Sequence, residues 1–187
     1  MTAVAAQVRE AEAMPAEIAG LWQLRPKSIT DERGTVREFF RRSAFADTGL
    51  AVPERWSQIN LTRTRRGAVR GLHGEAMTKL IGLAAGSALG AYLDARKDSA
   101  TYGRVLTMPL EVGVQMLVPP GVCNGFQALT DCDYLYCFDA EWRPDLPGVA
   151  VRPIDPALNI GWPLPIQASD PASISAKDAT APLFAEL

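Results

Sequence analysis

The stretch KLIGLAAGSALGAYLDA, residues 79–95, decides the fold class. Two apolar runs, 79–85 and 88–95, lie on either side of Gly86-Ser87. Each run has the length of a buried strand, and glycine and serine between two such runs mark a turn. The stretch therefore predicts two strands joined by a tight turn.

Short strands are predicted on both sides of this stretch. They cover residues 35–40, 56–62, 68–72, 105–110, 114–118, 125–129 and 133–140. The segment 56–62 alternates, with Ile59 and Leu61 on one face, as expected of a half-buried strand. A short helix is predicted at 43–48, ending at Gly49. Many short strands at spacings of about 8–12 residues are typical of all-β proteins. We therefore expect an all-β jelly roll, a double-sheet barrel with short helices.

The two ends of the chain differ in amino-acid composition from this middle part. Residues 1–20 are rich in alanine and glutamate, and we expect a frayed or short helical extension outside the core. Residues 21–187 are expected to form a single domain. Its last part, 152–187, is rich in proline, aspartate and alanine, which predicts an irregular C-terminal lid.

Composition excludes several classes of function. The 187 residues are 48% hydrophobic and 21% charged, as in an ordinary globular domain. Nineteen basic and 21 acidic residues give a net charge of -2. The chain therefore has no excess of positive charge of the kind that favours binding of nucleic acid. No apolar stretch approaches the ~18 residues of a membrane span. The N-terminus lacks a basic region followed by an apolar one, so no secretory signal is expected.

Cysteine and histidine usage narrows the chemistry further. The three cysteines, Cys123, Cys132 and Cys137, are odd in number and show no CxxC spacing. This pattern argues against a disulfide framework or a zinc site, and for a reducing compartment. A single histidine also argues against any site that needs two or three imidazole ligands, so we expect no metal.

Four residues carry candidate chemistry, each with an ordinary alternative. His73 follows a predicted strand, and histidine is the residue type whose unperturbed pKa lies near neutrality. A histidine at a strand end, however, often makes only one structural hydrogen bond. Tyr136 shares a strand face with two other aromatic residues, which is also the pattern of a core stripe. Lys79 has the position of a surface lysine with a buried stem, and Asp178 that of an ordinary tail aspartate. From these residues alone both interpretations stay open.

In combination, the motifs are more specific. They are Asp31-Glu32-Arg33-Gly34 with Glu38, Gln58-Ile59-Asn60, Gly67–His73, Lys79-Leu80, Leu93–Arg96, Ser99–Gly103, Val118–Gly121, Gly125-Phe126, Tyr136, Pro144, Asp155-Pro156, Ile160–Pro163 and Ser175–Ala179. In this order, over about residues 21–183, the chain resembles the dTDP-4-dehydrorhamnose 3,5-epimerase family of nucleotide-sugar cupins. The resemblance implies a homodimeric jelly roll without cofactor that binds a nucleoside-diphospho-4-keto-6-deoxyhexose. It also implies inversion of carbons C3 and C5 beside the C4 ketone.

The resemblance assigns a role to each matching residue. Removing a proton beside a ketone gives an enolate, which requires a base, an acid on the other face and a cation at the oxygen. These roles fall on His73 as base, Asp178 as its partner, Lys79 at the enolate oxygen and Tyr136 as acid. The implied substrate contacts are Arg33 and Arg70 to the diphosphate, and Glu38, Gln58 and Asn60 near the nucleoside.

The chain also departs from the family pattern. Asn124 stands where the family usually has histidine, Gly90 where it has aspartate and Trp142 where it has a second tyrosine. Val36-Arg37 replaces an aromatic pair, and the loop from His73 to Lys79 is shorter. We expect Asn124 and Trp142 to line a reshaped sugar pocket. The open alternatives are inversion at one carbon only, a related 4-keto-sugar isomerase, and a non-catalytic cupin that binds a nucleotide sugar. No membrane or nucleic-acid partner is expected.

Overall fold

A computed structural model describes residues 6–187 of the protein, apart from the side chains at positions 46 and 47. Its regular structure consists mainly of short strands. The strands are β1 (Gln7–Arg9), β2 (Glu12–Pro15), β3 (Trp22–Arg25), β4 (Ser28–Asp31), β5 (Gly34–Arg37), β6 (Gln58–Thr64), β7 (Val69–Glu75), β8 (Lys79–Ala85), β9 (Ser87–Asp94), β10 (Val105–Glu111), β11 (Gln115–Val118), β12 (Val122–Ala128), β13 (Cys132–Phe138) and β14 (Gly148–Ala150). One α-helix, α1, spans Ala176–Ala179, and 3-10 helices span Arg42–Thr48, Pro156–Leu158 and Phe184–Glu186.

Two antiparallel sheets form the body of the protein. One has the strand order β10-β9-β12-β7-β14 and the other β2-β3-β11-β8-β13-β6. The inner faces of the two sheets meet in a core that includes Tyr92, Phe126 and Tyr134. The rings of Phe126 and Tyr134 stack across the sheets with their centroids 4.0 Å apart. This arrangement confirms the predicted all-β jelly roll. A third, separate sheet has three strands in the order β1-β4-β5.

The turn predicted at Gly86 moves the chain from one sheet to the other. Strand β8 before it belongs to the six-stranded sheet, and β9 after it to the five-stranded sheet. Gly86 has a φ of +82°, and a Cβ there would lie 2.4 Å from the carbonyl oxygen of Asp131. Only glycine combines this backbone conformation with so close an approach. The turn therefore connects the two layers and does not form a hairpin.

The N-terminal prediction of a helix is wrong for the residues that the structure describes. Residues 7–9 and 12–15 are strands, and β2 pairs with β3 at the edge of the six-stranded sheet. Ile18 is fully buried in the core. Hydrogen bonding to a sheet edge overrides the weak helical preference of alanine and glutamate. Residues 1–5 lie outside the described residues, and the domain boundary at residue 20 stays a prediction.

A buried ionic cluster fastens the N-terminal segment to the body of the protein. Asp94 is fully buried and accepts hydrogen bonds from the Arg96 guanidinium (2.8 Å) and from the hydroxyls of Ser99 and Thr101 (2.6 Å each). Arg96 also donates to the carbonyl oxygen of Ala19. Burial alone would raise the pKa of Asp94, but these hydrogen bonds outweigh it and hold the pKa well below its usual range.

Strand β6 differs from the prediction in one respect. It begins at Gln58, and Ile59 and Leu61 are 60% and 62% exposed. The alternation is as expected, but β6 is the edge strand of its sheet, and the cluster around Leu24 and Phe45 that covers the outer face of the sheet does not extend over β6.

The predicted short helix is a 3-10 helix, Arg42–Thr48, which ends at Gly49 in the left-handed conformation, as predicted.

The C-terminal segment returns to the five-stranded sheet. Ile174 forms a parallel bridge with Val69 on β7, and the adjoining helix α1 is capped by the Ser175 hydroxyl, which accepts from the backbone of Asp178. This packing places Asp178 beside β7.

Within the described part of the chain, no helix is long and apolar enough to cross a membrane.

Candidate active site

A β-bulge in β7 turns two polar side chains toward the interior. In the pairing of β7 with β12, His73 lies opposite Asn124 and Arg70 lies opposite Phe126, so β7 contains one extra residue between them. Arg70 and His73 therefore share one face although they are three positions apart. Gly71 makes this possible, because it has a φ of +114° and a Cβ there would lie 2.5 Å from the Cα of Gly125.

His73 is held by a carboxylate from the C-terminal segment. Its Nε2 lies 2.8 Å from Oδ1 of Asp178, and the backbone N–H of Gly71 donates to the other carboxylate oxygen. Burial would raise the pKa of Asp178, but the hydrogen bond and charge of His73 outweigh it, and the pKa is lowered. An ionised carboxylate can only accept hydrogen bonds. The proton therefore lies on Nε2 of His73, which leaves Nδ1 as the basic nitrogen.

Tyr136 and Lys79 face His73 from the opposite sheet. They lie on neighbouring strands, β13 and β8, where Tyr136 pairs with Ile81 and Phe138 pairs with Lys79. The two-residue period of a strand places both side chains on the inner face. Tyr136 belongs to the predicted aromatic stripe, with centroid distances of 4.7 Å to Tyr134 and 5.8 Å to Phe138. Burial raises the pKa of Tyr136, which keeps its hydroxyl protonated near neutrality.

These side chains line a small cavity of about 50 Å³ between the sheets. Its walls include Arg70, His73, Lys79, Asn124 and Tyr136. Arg70, His73 and Tyr136 also line an adjoining cleft of about 320 Å³, whose far wall is the C-terminal segment 171–178. The predicted C-terminal lid thus forms one side of the site.

Among residues 6–187, no group of three or more histidine, cysteine, aspartate or glutamate side chains is placed to hold a metal ion.

One charged residue in this cavity was not predicted from the sequence. The Lys79 ammonium donates to Oε2 of Glu75 at 2.6 Å and to the backbone oxygen of His73 at 3.0 Å. Burial would raise the pKa of Glu75, but the neighbouring Lys79 charge lowers it overall. The position of Glu75, two residues after His73 on the same strand face, was the available signal.

The two substituted inner positions, Asn124 and Gly90, lie on either side of a buried tyrosine. Asn124 pairs with His73 on one side and with Tyr92 on the other, so the three side chains form a row across the sheet. A Cβ at Gly90 would lie 2.8 Å from the Tyr92 hydroxyl. Tyr92 is fully buried, and its hydroxyl has no hydrogen-bond partner among the described residues. The missing side chain at position 90 therefore makes room for Tyr92.

Three predicted substrate-binding residues form a second group beside the cavity. Asn60 pairs with Tyr136 and Gln58 with Phe138, so both face the same side of the sheet as the cavity residues. The Gln58 side chain donates to Asn60 at 3.1 Å and accepts from the backbone of Trp142 at 2.7 Å. Gln58 and Asn60 lie on the edge strand β6, whereas Trp142 follows β13 and is 46% exposed. None of the three lines the 50 Å³ cavity, so their predicted substrate contacts stay predictions.

The structure does not bring Arg33 or Glu38 to the His73 cavity. Arg33 lies in the turn between β4 and β5, where its side chain is 90% exposed and pairs with Asp31 at 2.7 Å. Glu38 follows β5 and pairs with Arg41. Neither residue lines the cavity or the adjoining cleft, so their predicted substrate contacts stay predictions.

The arrangement is suited to proton transfer beside a carbonyl group. A basic nitrogen on one sheet and a protonated phenol on the other flank a cavity that also contains a buried ammonium. A base, an acid on the other side and a cation are the three groups that enolate chemistry needs.

Comparison with known proteins agrees with this geometry. The family model for dTDP-4-dehydrorhamnose 3,5-epimerase matches residues 15–186. The chain is 34% identical over 180 residues to "Protein RmlC homolog" of Streptococcus pyogenes, covering 91% of this chain and 88% of that protein. It is 32% identical over 181 residues to a dTDP-4-dehydro-6-deoxyglucose 3-epimerase of a Streptomyces species, with the same coverages of 91% and 88%.

A solved structure shows the same likeness in three dimensions. It is the Legionella pneumophila dTDP-6-deoxy-D-glucose-3,5-epimerase in complex with dTDP-4-keto-L-rhamnose, with a TM-score of 0.83 and 29% identity over 94% of each chain. The fold, the matched length and the sequence identity agree. The chain therefore belongs to the dTDP-4-dehydrorhamnose 3,5-epimerase family.

Proposed function

We propose that this protein is an epimerase that acts on a nucleoside-diphospho-4-keto-6-deoxyhexose, with dTDP as the nucleotide. The observation that carries the proposal is the placement of His73 and Tyr136 on opposite sheets across one cavity that also holds Lys79. An isomerase that inverts a carbon must remove a proton from one face and return one to the other. The names of the relatives support the substrate class, because they act on dTDP-linked deoxysugars.

In the proposed reaction, Nδ1 of His73 takes the proton from a carbon beside the C4 ketone. The C–H electron pair forms a C=C bond to C4, and the π electrons of the C4 ketone move to its oxygen. The resulting enolate oxygen accepts a hydrogen bond from the Lys79 ammonium. Asp178 stabilises the resulting imidazolium. The Tyr136 hydroxyl then donates its proton to the opposite face of the carbon. His73 loses its proton to water and Tyr136 regains one, so each turnover consumes no net proton.

Arg70 is the proposed diphosphate contact within this chain. Its Nε donates to the hydroxyl of Thr64 at 3.1 Å, and its side chain lies at the junction of the small cavity and the larger cleft. A guanidinium at that point suits a phosphate group whose sugar extends toward His73. Gln58 and Asn60 are proposed to contact the nucleoside along the edge strand, and Trp142, whose backbone N–H donates to Gln58, to border the sugar pocket.

The residues that differ from the family pattern bear on which carbon is inverted. Inversion at both C3 and C5 requires the sugar to present two C–H bonds in turn to the same base. Asn124 gives the cavity wall beside His73 a different shape from that of a histidine, and on its other side it pairs with the fully buried Tyr92. This shape supports inversion at a single carbon, which is the activity named for the Streptomyces 3-epimerase.

The deciding experiment is incubation with dTDP-4-keto-6-deoxyglucose in heavy water, with deuterium at C3 and C5 read by NMR. We expect incorporation at one of these carbons, with loss of incorporation in His73→Ala. Absence of exchange with this and other 4-keto nucleotides, together with tight binding, would favour the non-catalytic nucleotide-sugar-binding cupin instead.

We further propose a homodimer in the cytoplasm. The exposed apolar side chains Ile59 and Leu61 continue the outer face of the six-stranded sheet, where Leu135 and Cys137 are already covered. Exposed apolar surface of this kind is typical of a protein interface. A nucleotide-sugar substrate and three unpaired cysteines support a cytoplasmic location.

A further inference from the structure

We propose that Glu75 is a positioning residue that fixes the Lys79 ammonium in the cavity and provides its counter-charge. The inference rests on the proposed epimerase function, in which Lys79 stabilises the enolate oxygen. Glu75 itself acts through Lys79 and not on the sugar.

The first argument is geometric. The Lys79 side chain is only 2% exposed, and two acceptors, Oε2 of Glu75 and the backbone oxygen of His73, lie within 3.0 Å of its Nζ. An ammonium has three N–H donors. Two of them are therefore occupied, and the direction of the third, which remains for a ligand oxygen, is fixed by the other two.

The second argument concerns the layers that the ion pair connects. Glu75 lies on β7 of the five-stranded sheet, and Lys79 is the first residue of β8 in the six-stranded sheet. The pair therefore joins the strand that carries the base to the strand that carries the cation. A change in this pair alters the distance between the two groups that must act on the same enolate.

The third argument concerns charge. A buried ammonium without a counter-ion is costly and releases its proton more easily. The titratable and charged groups around Lys79 are Arg70, His73 and Glu75 on β7, Cys123 on β12, Tyr136 on β13, and Asp178 behind His73. Of these, Glu75 is the carboxylate in direct contact with the ammonium. Glu75 therefore supplies the counter-charge of the buried ammonium that stabilises the enolate.

The test uses the pH dependence of deuterium exchange into dTDP-4-keto-6-deoxyglucose. Glu75→Gln keeps the size of the side chain and removes its charge, and Glu75→Asp keeps the charge. We expect the alkaline limb of the rate profile to move to lower pH by about one unit or more in Glu75→Gln, and to return toward wild type in Glu75→Asp. Glu111→Gln, at the exposed end of β10, is the matched control and should leave the profile unchanged.

A second readout does not depend on activity. The chain has four lysines, Lys27, Lys79, Lys97 and Lys177, so their side-chain nitrogens can be resolved by NMR and Lys79 assigned by its loss in Lys79→Arg. We expect the Lys79 ammonium to deprotonate at lower pH in Glu75→Gln than in wild type. Identical titration of Lys79 in the two proteins would overturn the proposal, whether or not the wild type is active.

A reciprocal variant covers the case in which Glu75→Gln does not fold. In Lys79→Met the carboxyl of Glu75 loses its cation, so it should take up its proton at higher pH than in wild type, as read by carboxyl-carbon NMR. An unchanged titration of Glu75 would also overturn the proposal. If the wild type shows no deuterium exchange while these titrations move as expected, the proposed epimerase function fails and the coupling of the two residues stands.

Discussion

One hydrogen bond of 2.8 Å joins Nε2 of His73 to Oδ1 of Asp178, although 105 residues separate them in the chain. The bond sets the tautomer of His73, because the ionised carboxylate can only accept. It also connects the C-terminal segment to the strand that carries the proposed base.

Asp178→Asn should lower the rate of deuterium exchange by between about 10² and 10⁴-fold. The amide N–H₂ of asparagine can donate to Nε2 of His73, which would place the imidazole proton on Nδ1 and block the basic nitrogen. The exchange rate, measured by NMR, checks this. Asp170→Asn is the control, because Asp170 accepts only from backbone groups in its turn. Equal rates in wild type and Asp178→Asn would remove Asp178 from the mechanism.

Tyr136→Phe should separate proton removal from inversion. His73 would still remove the proton and could return deuterium to the same face, so exchange should continue. Formation of the inverted sugar should fall about 100-fold or more, because the acid on the opposite face is missing. NMR of the sugar measures both quantities in one sample. Tyr102→Phe, at an exposed tyrosine, should behave as wild type; an inverted product at the normal rate in Tyr136→Phe would exclude Tyr136 as the acid.

Asp94→Asn should reduce the free energy of unfolding by about 2–3 kcal/mol at pH 7, because it removes a buried charge that three side chains hydrogen-bond. The lowered pKa of Asp94 in the folded protein determines the pH dependence. Its stabilisation is complete above the unfolded pKa of about 3.9 and is lost as pH falls toward the folded value. The difference between wild type and variant in denaturant unfolding should therefore shrink below about pH 4. A difference that grows in acid would contradict this.

Gly90→Ala should destabilise the protein by about 1–3 kcal/mol, since its methyl group would meet the Tyr92 hydroxyl at 2.8 Å and Leu110 at 3.0 Å. Tyr92→Phe alone should be close to neutral, because the removed hydroxyl has no partner among the described residues. In combination with Gly90→Ala it should recover part of the loss. Thermal unfolding of the three variants measures this coupling, and simple additivity would show that the two positions do not interact.

Leu61→Arg should convert the proposed homodimer into a monomer, because a charge on the exposed outer face of β6 would have to be buried in the interface. Size-exclusion chromatography with light scattering checks the mass. Thr107→Arg, at an exposed position on the opposite sheet, is the control. A monomeric wild type would contradict the dimer directly.

The sequence by itself determined the strand pattern. Short apolar runs interrupted by glycine and proline cannot form long helices, so the all-β architecture followed from local chemistry, as did the turn at Gly86. The single histidine restricted the site to chemistry with one imidazole. The order of motifs then indicated the family, because spacing along the chain survives where individual residues change.

Only the tertiary structure decided what these segments contact. Residues 7–9 and 12–15 became strands because they pair with β4 and β3, and Ile59 and Leu61 stayed exposed because no described residue covers the outer face of β6. The ion pair of Glu75 with Lys79 and the row of His73, Asn124 and Tyr92 arise from the packing of two sheets and from strand register. Periodicity indicates which face a side chain takes, but the partner opposite that face is set by long-range pairing, which local sequence does not encode.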